Sequence, residues 1–383
     1  MKRTGFKEKS FSPSDPRTVT GAFALLLLVG FAAMWSSSMG YSLRIGKSAS
    51  YFALRQAFFI LPSVLVFVFF SLVKLETLRK YVGILTLMSL ISLLLPLLPG
   101  IGVTINGGRR WVNLGFTNFQ PSELWKPMSI LYAAHMLDKK NELIKASSGE
   151  AFFPFFVISA GIVFIFFQND FSTAILALIS VAAVFWAAGV PFAFFIGVFM
   201  LGVISIVLMV GTSEYRMMRI VGYLIPDYDA HGINYQVQNS IRAIMSGGFW
   251  GKGLGLGTRK LSSIPEIQSD FVFAGFVEET GLLGVSVVLA CWIFIGYRVL
   301  KTASNIAGFK AFLAVGLFSL LSFQVLFNLG VISGFLPATG IALPFFSQGG
   351  SSLIATAITA GLIVNTIRDD GFAPLNATGG YHD

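Results

Sequence analysis

The sequence predicts an all-α polytopic membrane protein with about ten transmembrane helices and one large extracellular loop between helices seven and eight. Three observations predict it. Of 383 residues, 55% are hydrophobic and only 12% are charged, and the mean hydropathy is +0.77; soluble domains carry about 25% charged residues. The apolar residues gather in runs of roughly 17–25, the length that crosses a bilayer as a helix. A single long polar segment, about 213–270, separates two groups of such runs.

In chain order the runs lie at about 19–39, 51–73, 80–100, 121–137, 151–168, 171–189, 191–212, 271–297, 310–332 and 349–366. Residues 19–366 form one membrane domain between the tails 1–18 and 367–383, without an internal repeat. Fifteen Lys and Arg fall on the side of the N-terminus, against five in the short loops opposite. Basic loops stay inside, and long loops translocate largely regardless of charge. Both termini are therefore expected in the cytoplasm and the 213–270 loop outside. The basic tail and first run could mimic a signal peptide, with "MWSSSMG" as small residues for cleavage. That run is nevertheless long enough to cross, and keeping it completes an even number of spans.

The net charge of +9 reads as loop charge and attraction to anionic lipid head groups, not as a nucleic-acid surface. Cys291 is the only cysteine, which excludes a disulfide framework or a cysteine metal cluster, and His135, His231 and His382 are scattered.

Polar residues beside hydrocarbon mark candidate sites, because each ionisable group there must find a partner or a wet cavity. In "NGGRRWVNLG", residues 106–115, Arg109 and Arg110 next to Trp111 could grip phosphate with their guanidinium forks. Equally, Arg and Trp at head-group level could be interfacial anchors. In "QPSELWK", residues 120–126, Pro121 suits a first helical turn. Glu123 and Lys126 are neighbours on one face there, and read as a mutually neutralising pair inside the bundle. Asp170, in "QNDFST" at 168–173, sits in an outward hairpin or caps the sixth span.

The glycines of "SGGFWGKGLGLGTRK", Ser246 to Lys260, permit positive φ and a nest of amide donors around a phosphate. Arg242, Lys252, Arg259 and Lys260 would supply positive charge around it. The P-loop pattern GxxxxGK[ST] is absent, and a flexible linker is the alternative reading. Asp270 follows, at the outer N-terminal mouth of the eighth span, where the helix dipole favours an ionised carboxylate. Glu278 lies about 12 Å deeper and roughly 80° around the helix, with Glu279 nearly opposite Asp270. Asp270 is thus placed for an extracellular substrate, and the two glutamates for bundle architecture or coupling.

Taken in order, several motifs resemble the SEDS family (shape, elongation, division, sporulation) of bacterial membrane proteins. They are NG-x-RRW at 106–111, QPSE-x-x-K at 120–126, Q-x-D-F-x-T at 168–173, and Tyr235-Gln236 followed by Ser240 and the glycine pair 247–248. P-E-x-x-x-DF-x-FA at 265–274, EE-x-G at 278–281 and LPF-x-S-x-GGSS at 343–352 complete the set. The likeness covers nearly the whole membrane domain. Asn106, the doubled arginine and Lys260 five residues before Pro265 resemble the division branch more than the elongation branch. Gln268, Gln348 and Asn239 depart from the family's usual His, Tyr and Gln.

The resemblance implies a peptidoglycan glycosyltransferase that polymerises lipid II at the outer face of the bacterial cytoplasmic (inner) membrane, for septal wall synthesis. It implies a class B penicillin-binding protein (FtsI-like) and other divisome proteins as partners. Inverting transfer from a polyprenyl pyrophosphate needs a base and cations for the leaving group. Asp270 is the candidate base; Arg109, Arg110, Trp111, Arg242, Lys252, Arg259 and Lys260 are candidate substrate contacts. A divalent cation (Mg or Mn) could assist. A lipid-precursor flippase, with Glu123, Lys126, Asp170, Glu278 and Glu279 lining a polar path, and a recruiting scaffold are the rival readings.

Overall fold

The computed structural model describes residues 15–105, 107–115, 117–140, 149–211, 214–225, 234–258 and 267–368. Asp15 opens the first helix, α1 (Pro16–Arg44): its carboxylate accepts from the Arg17 amide at 2.9 Å, and Pro16 takes the first turn, where its missing N–H is no loss. Then come α2 (Tyr51–Leu72), α3 (Leu75–Ser92), α4 (Pro121–Lys139), α5 (Gly149–Phe167), α6 (Phe171–Ala187) and α7 (Phe192–Gly211). The chain continues through α8 (Glu214–Leu224), α9 (Tyr235–Gly247), α10 (Val272–Asn305), α11 (Phe309–Ile332) and α12 (Gly350–Ile367).

A helix lies at each of the expected apolar runs. Among the described residues, seven helical stretches are long and apolar enough to cross a membrane: α1, α2, Leu75–Leu97, α5, α10, α11 and α12. The faces of α2 show the solvent they are built for. Leu54, Phe58, Leu61, Leu65, Phe69 and Leu72 recur every three or four residues and are exposed, while Gln56, Ser63 and Ser71 are buried. That inside-out pattern suits hydrocarbon outside and protein inside. The molecule is a multi-pass membrane protein.

α4 is the opposite case. It is buried along nearly its whole length, carries Glu123, Lys126 and Asp138 inward, and packs against α3, α5, α6, α11 and α12. Gly316 of α11 faces Val184 and Ile130 so closely that a Cβ would collide with both, which draws α11 onto α6 and α4.

Two features were not expected. A three-stranded antiparallel sheet, β1 (Gly102–Ile105), β2 (Gly108–Asn113) and β3 (Asn118–Phe119), stands before α4. Its hairpin turns at Gly107 (φ 75°) and pairs Val103 with Trp111 and Ile105 with Gly108. The expected 213–270 loop also contains α8 and α9. α9 packs on α10 and is fixed to α11 by the Ser240 hydroxyl, which donates to the Ile332 carbonyl at 2.8 Å.

α10 is not one continuous rod, as the run 271–297 suggested. Gly281 leaves the helical region (φ 64°, ψ −162°), and the glycine-rich loop after α9 fills the gap. The amides of Lys252 and Gly253 donate to the Glu278 and Glu279 carbonyls, both at 3.0 Å. Those of Leu282 and Leu283 donate to Gly248 and Phe249 at 3.0 and 3.3 Å. A helix break near hydrocarbon survives only when its freed backbone groups are met in this way. Gly251 and Gly281 press against each other's backbone neighbours, leaving no room for a Cβ at either.

Candidate active site

A cavity of about 200 Å³ lies among β2, α4, α6 and the loops that lead into α10 and α12. Asp270 reaches it from the turn 267–270, just ahead of α10. The turn is held from two directions. Asn328 Nδ2, on α11, donates to the Asp270 carbonyl at 2.8 Å, and the Gln348 amide donates to the Gln268 carbonyl at 2.9 Å. Gly340 (φ 75°) passes beside the carboxylate; a Cβ there would sit 3.4 Å from Asp270 Oδ2.

The same cavity is lined by Glu123 and Lys126, a buried ion pair at 2.9 Å on successive turns of α4. Asp170 caps α6 by accepting from the Thr173 amide at 3.4 Å. It also accepts from Gln120 Nε2 at 3.0 Å and faces the Arg110 guanidinium at 3.5 Å. Arg110 in turn donates to the Asn169 carbonyl at 2.6 Å and lies 5.8 Å from the Trp111 ring centre. The β-hairpin is thereby pinned to the α5–α6 turn, with Arg110 and Trp111 both at the cavity wall.

The first turn of α12, Gly350 to Ser352, closes the remaining side. Its start is fixed by Gln56 Oε1, which accepts from the Gly349 amide at 3.2 Å, and by Ser351 Oγ, which accepts from the Gln120 amide at 3.1 Å. N–H groups in a first helical turn have no intrahelical partner, and the dipole there favours negative charge. One small space therefore combines three carboxylates (Asp270, Glu123 and Asp170), two cations paired with the last two (Lys126 and Arg110), and a helix N-terminus. It can take a proton and hold an anion.

The other candidates lie elsewhere. Arg109 turns away to the Leu98 carbonyl at 2.9 Å; Arg110 is the extra residue of a bulge in β2, since Val103 pairs with Trp111 and Thr104 with Arg109. The two arginines therefore do not act as one grip on this cavity. Arg242 is exposed on α9. Lys252 is not a cation of the cavity: its Nζ pairs with the wholly buried Glu278 at 2.7 Å. Arg259 and Lys260 lie outside the described residues.

Glu278 Oε1 also accepts from the Thr258 amide at 3.1 Å, and Glu279 Oε1 accepts from Ser36 Oγ at 2.8 Å and the Gly255 amide at 3.0 Å. The loop expected to cradle phosphate thus points these donors at α10 instead.

Sequence reasoning missed Gln120, Asn328, Gly340 and the α12 turn as parts of the site. The GGSS run at its end was the available signal, since Gly-Ser-Ser suits a helix start. For a metal, the donor set does not fit a protein-built cage. Among the described residues no three His, Cys, Asp or Glu side chains converge on one point. Glu123 and Asp170 are already engaged by Lys126 and Arg110.

The family model described as "Cell cycle protein" (FtsW/RodA/SpoVE) matches residues 17–370. The chain belongs to the FtsW/RodA/SpoVE family. Its family relatives include the probable peptidoglycan glycosyltransferase FtsW of Haemophilus influenzae, 32% identical over 352 residues, covering 91% of this chain and 89% of that protein. The stage V sporulation protein E of Bacillus subtilis is 34% identical over 352 residues, covering 90% and 94%. Among FtsW/RodA/SpoVE-like folds in solved structures, a chain from "Structural coordination of polymerization and crosslinking by a peptidoglycan synthase complex" superposes with TM-score 0.73. It is 27% identical and covers 92% of this chain and 97% of its own. The rod shape determining protein RodA of Thermus thermophilus shares the fold at TM-score 0.65 and 24% identity, covering 92% and 96%.

Proposed function

We propose that this chain is a peptidoglycan glycosyltransferase that polymerises lipid II at the outer face of the bacterial inner membrane, with both termini in the cytoplasm. The observation that carries the reading is the Asp270 carboxylate sharing one cavity with Lys126, Arg110 and the α12 N-terminus. In the reaction, Asp270 takes the proton of the acceptor sugar hydroxyl. The freed oxygen attacks the anomeric carbon of the donor from the face opposite the pyrophosphate. As the new bond forms, the carbon–oxygen bond to pyrophosphate breaks and its electron pair leaves with the phosphate oxygen, so an α-linked donor gives a β-linked glycan. The first-turn amides of α12 steady the charge that develops on the leaving group, beside Lys126 and Arg110, which Glu123 and Asp170 hold in place. A base contributes about 10²–10⁴-fold in such a step.

The partner in this reading is a class B penicillin-binding protein of the septal machinery, together with other divisome proteins. Its support is the family relatives named FtsW and the likeness to a chain from a peptidoglycan synthase complex. Purified protein with that partner and labelled lipid II tests the chemistry. Glycan ladders are expected; transfer of lipid II between leaflets without ladders would make the chain a flippase. Depletion in the source organism should give long undivided filaments of normal width, whereas rounded, widened cells would make it an elongation-type polymerase.

A further inference from the structure

We propose that Asn328 is the positioning residue that sets the place and aim of Asp270 in the cavity. The proposal rests on the reading of Asp270 as the base. Asn328 is 2% exposed, on a stretch of α11 whose neighbours Val325, Val331 and Ile332 are also buried. Its Nδ2 donates at 2.8 Å to the Asp270 carbonyl and at 3.0 Å to the Ile341 carbonyl. Both acceptors are main-chain oxygens that cannot donate, so the amide can face them only with its NH₂ group. One side chain therefore ties together the two loops that flank the carboxylate, since Ser269–Asp270 and Gly340–Ala342 both line the cavity.

The location explains why a tether is needed. The Asp270 peptide precedes α10, and the first bond of that helix runs from the Ala274 amide to the Phe271 carbonyl, one residue further on. Asn328 thus ties the Asp270 carbonyl directly to α11, from outside the turn that carries it. Asn328 Oδ1 is buried without a hydrogen-bond partner. A leucine of similar size would fill the same space without burying an unpaired oxygen, so packing alone gives no reason for an amide here. The two donated bonds do.

The test is Asn328→Leu in the purified protein with its penicillin-binding partner, measured at varied lipid II. Misplacing a reacting group by about 1 Å costs about 100-fold, so kcat should fall by roughly tenfold to 100-fold. KM should stay within about twofold, the pattern of an interaction expressed only in the transition state. In an Asp270→Glu background, where the carboxylate is already displaced, the same change should cost less than about threefold. Normal kcat in well-folded Asn328→Leu protein would overturn the proposal, as would the same fold-loss in both backgrounds. If Asn328→Leu does not accumulate, Asn328→Ser, which keeps a donor but not its reach, is read by the same two criteria. Full activity of Asp270→Asn is a separate result that would instead overturn the base assignment.

Discussion

Glu278→Gln should loosen the loop that fills the break in α10 while leaving the chemistry at Asp270 largely intact. The wild-type carboxylate is wholly buried and accepts from Lys252 Nζ at 2.7 Å and the Thr258 amide at 3.1 Å. Hydrogen bonds to a charged group contribute about 1.5–3 kcal/mol, and stranding one partner of a fully buried pair costs about 3–5 kcal/mol. Lys252 keeps 31% of its side chain exposed, so its ammonium regains water when the charge opposite is lost. A value within the hydrogen-bond range, about 2 kcal/mol, therefore applies rather than the full buried-pair cost. At about 1.36 kcal/mol per factor of ten, the open population of the loop rises roughly 30-fold. Trypsin reads this directly, because Lys252 precedes Gly253 within the loop. Cleavage follows the open population when closing outpaces cutting. Glycan formation per folded molecule should stay within a few-fold of wild type. Unchanged cleavage together with abolished glycan formation would refute the reasoning and move Glu278 into the chemistry.

The remaining predictions concern the cavity and the topology. Asp270→Asn keeps size but loses proton-accepting power, so ladders from well-folded protein should fall by about 10²–10⁴-fold; near-normal ladders would end the assignment. Arg110→Ala removes the cation facing Asp170 at 3.5 Å and should weaken polymerisation more than it lowers protein level. Arg109→Ala, bonded to the Leu98 carbonyl, should act mainly through hairpin stability, seen as lower yield with normal specific activity. Reporter tags should place residues 5 and 375 in the cytoplasm and residue 230 outside; residue 230 found inside would undo the orientation.

The helices were legible because an apolar run of bilayer length has few other uses. The hairpin was not, since strands as short as Gly102–Ile105 and Gly108–Asn113 carry little periodic signal. That omission had a consequence: the bulge at Arg110, which separates it from Arg109 and leaves it beside Trp111 at the cavity, has no signature in the local pattern. Asp270, Glu123, Lys126 and Asp170 stood out as charges amid hydrocarbon. Their convergence depends on contacts between residues far apart in sequence, which local pattern does not encode. Asn328 and Gln120 are neutral amides and gave no such warning. The break at Gly281 was equally silent, because glycine is frequent in membrane helices.

The three carboxylates of "SDFVFAGFVEETG" divide for a reason the structure makes physical. A glycine-rich loop with nearby lysine looks like a phosphate cradle as long as its amides are free. Here the amides of Lys252, Gly253, Gly255 and Thr258 donate to carbonyls or carboxylates of Glu278 and Glu279, and the Lys252 ammonium joins them. A phosphate would have to displace these bonds and strand at least one buried carboxylate, at several kcal/mol. Anion recognition is therefore better served at the first turn of α12, whose amides have no intrahelical partner and which lines the same cavity as Asp270. On this argument Glu278 and Glu279 keep the loop on the helix, and Asp270 is left to the substrate.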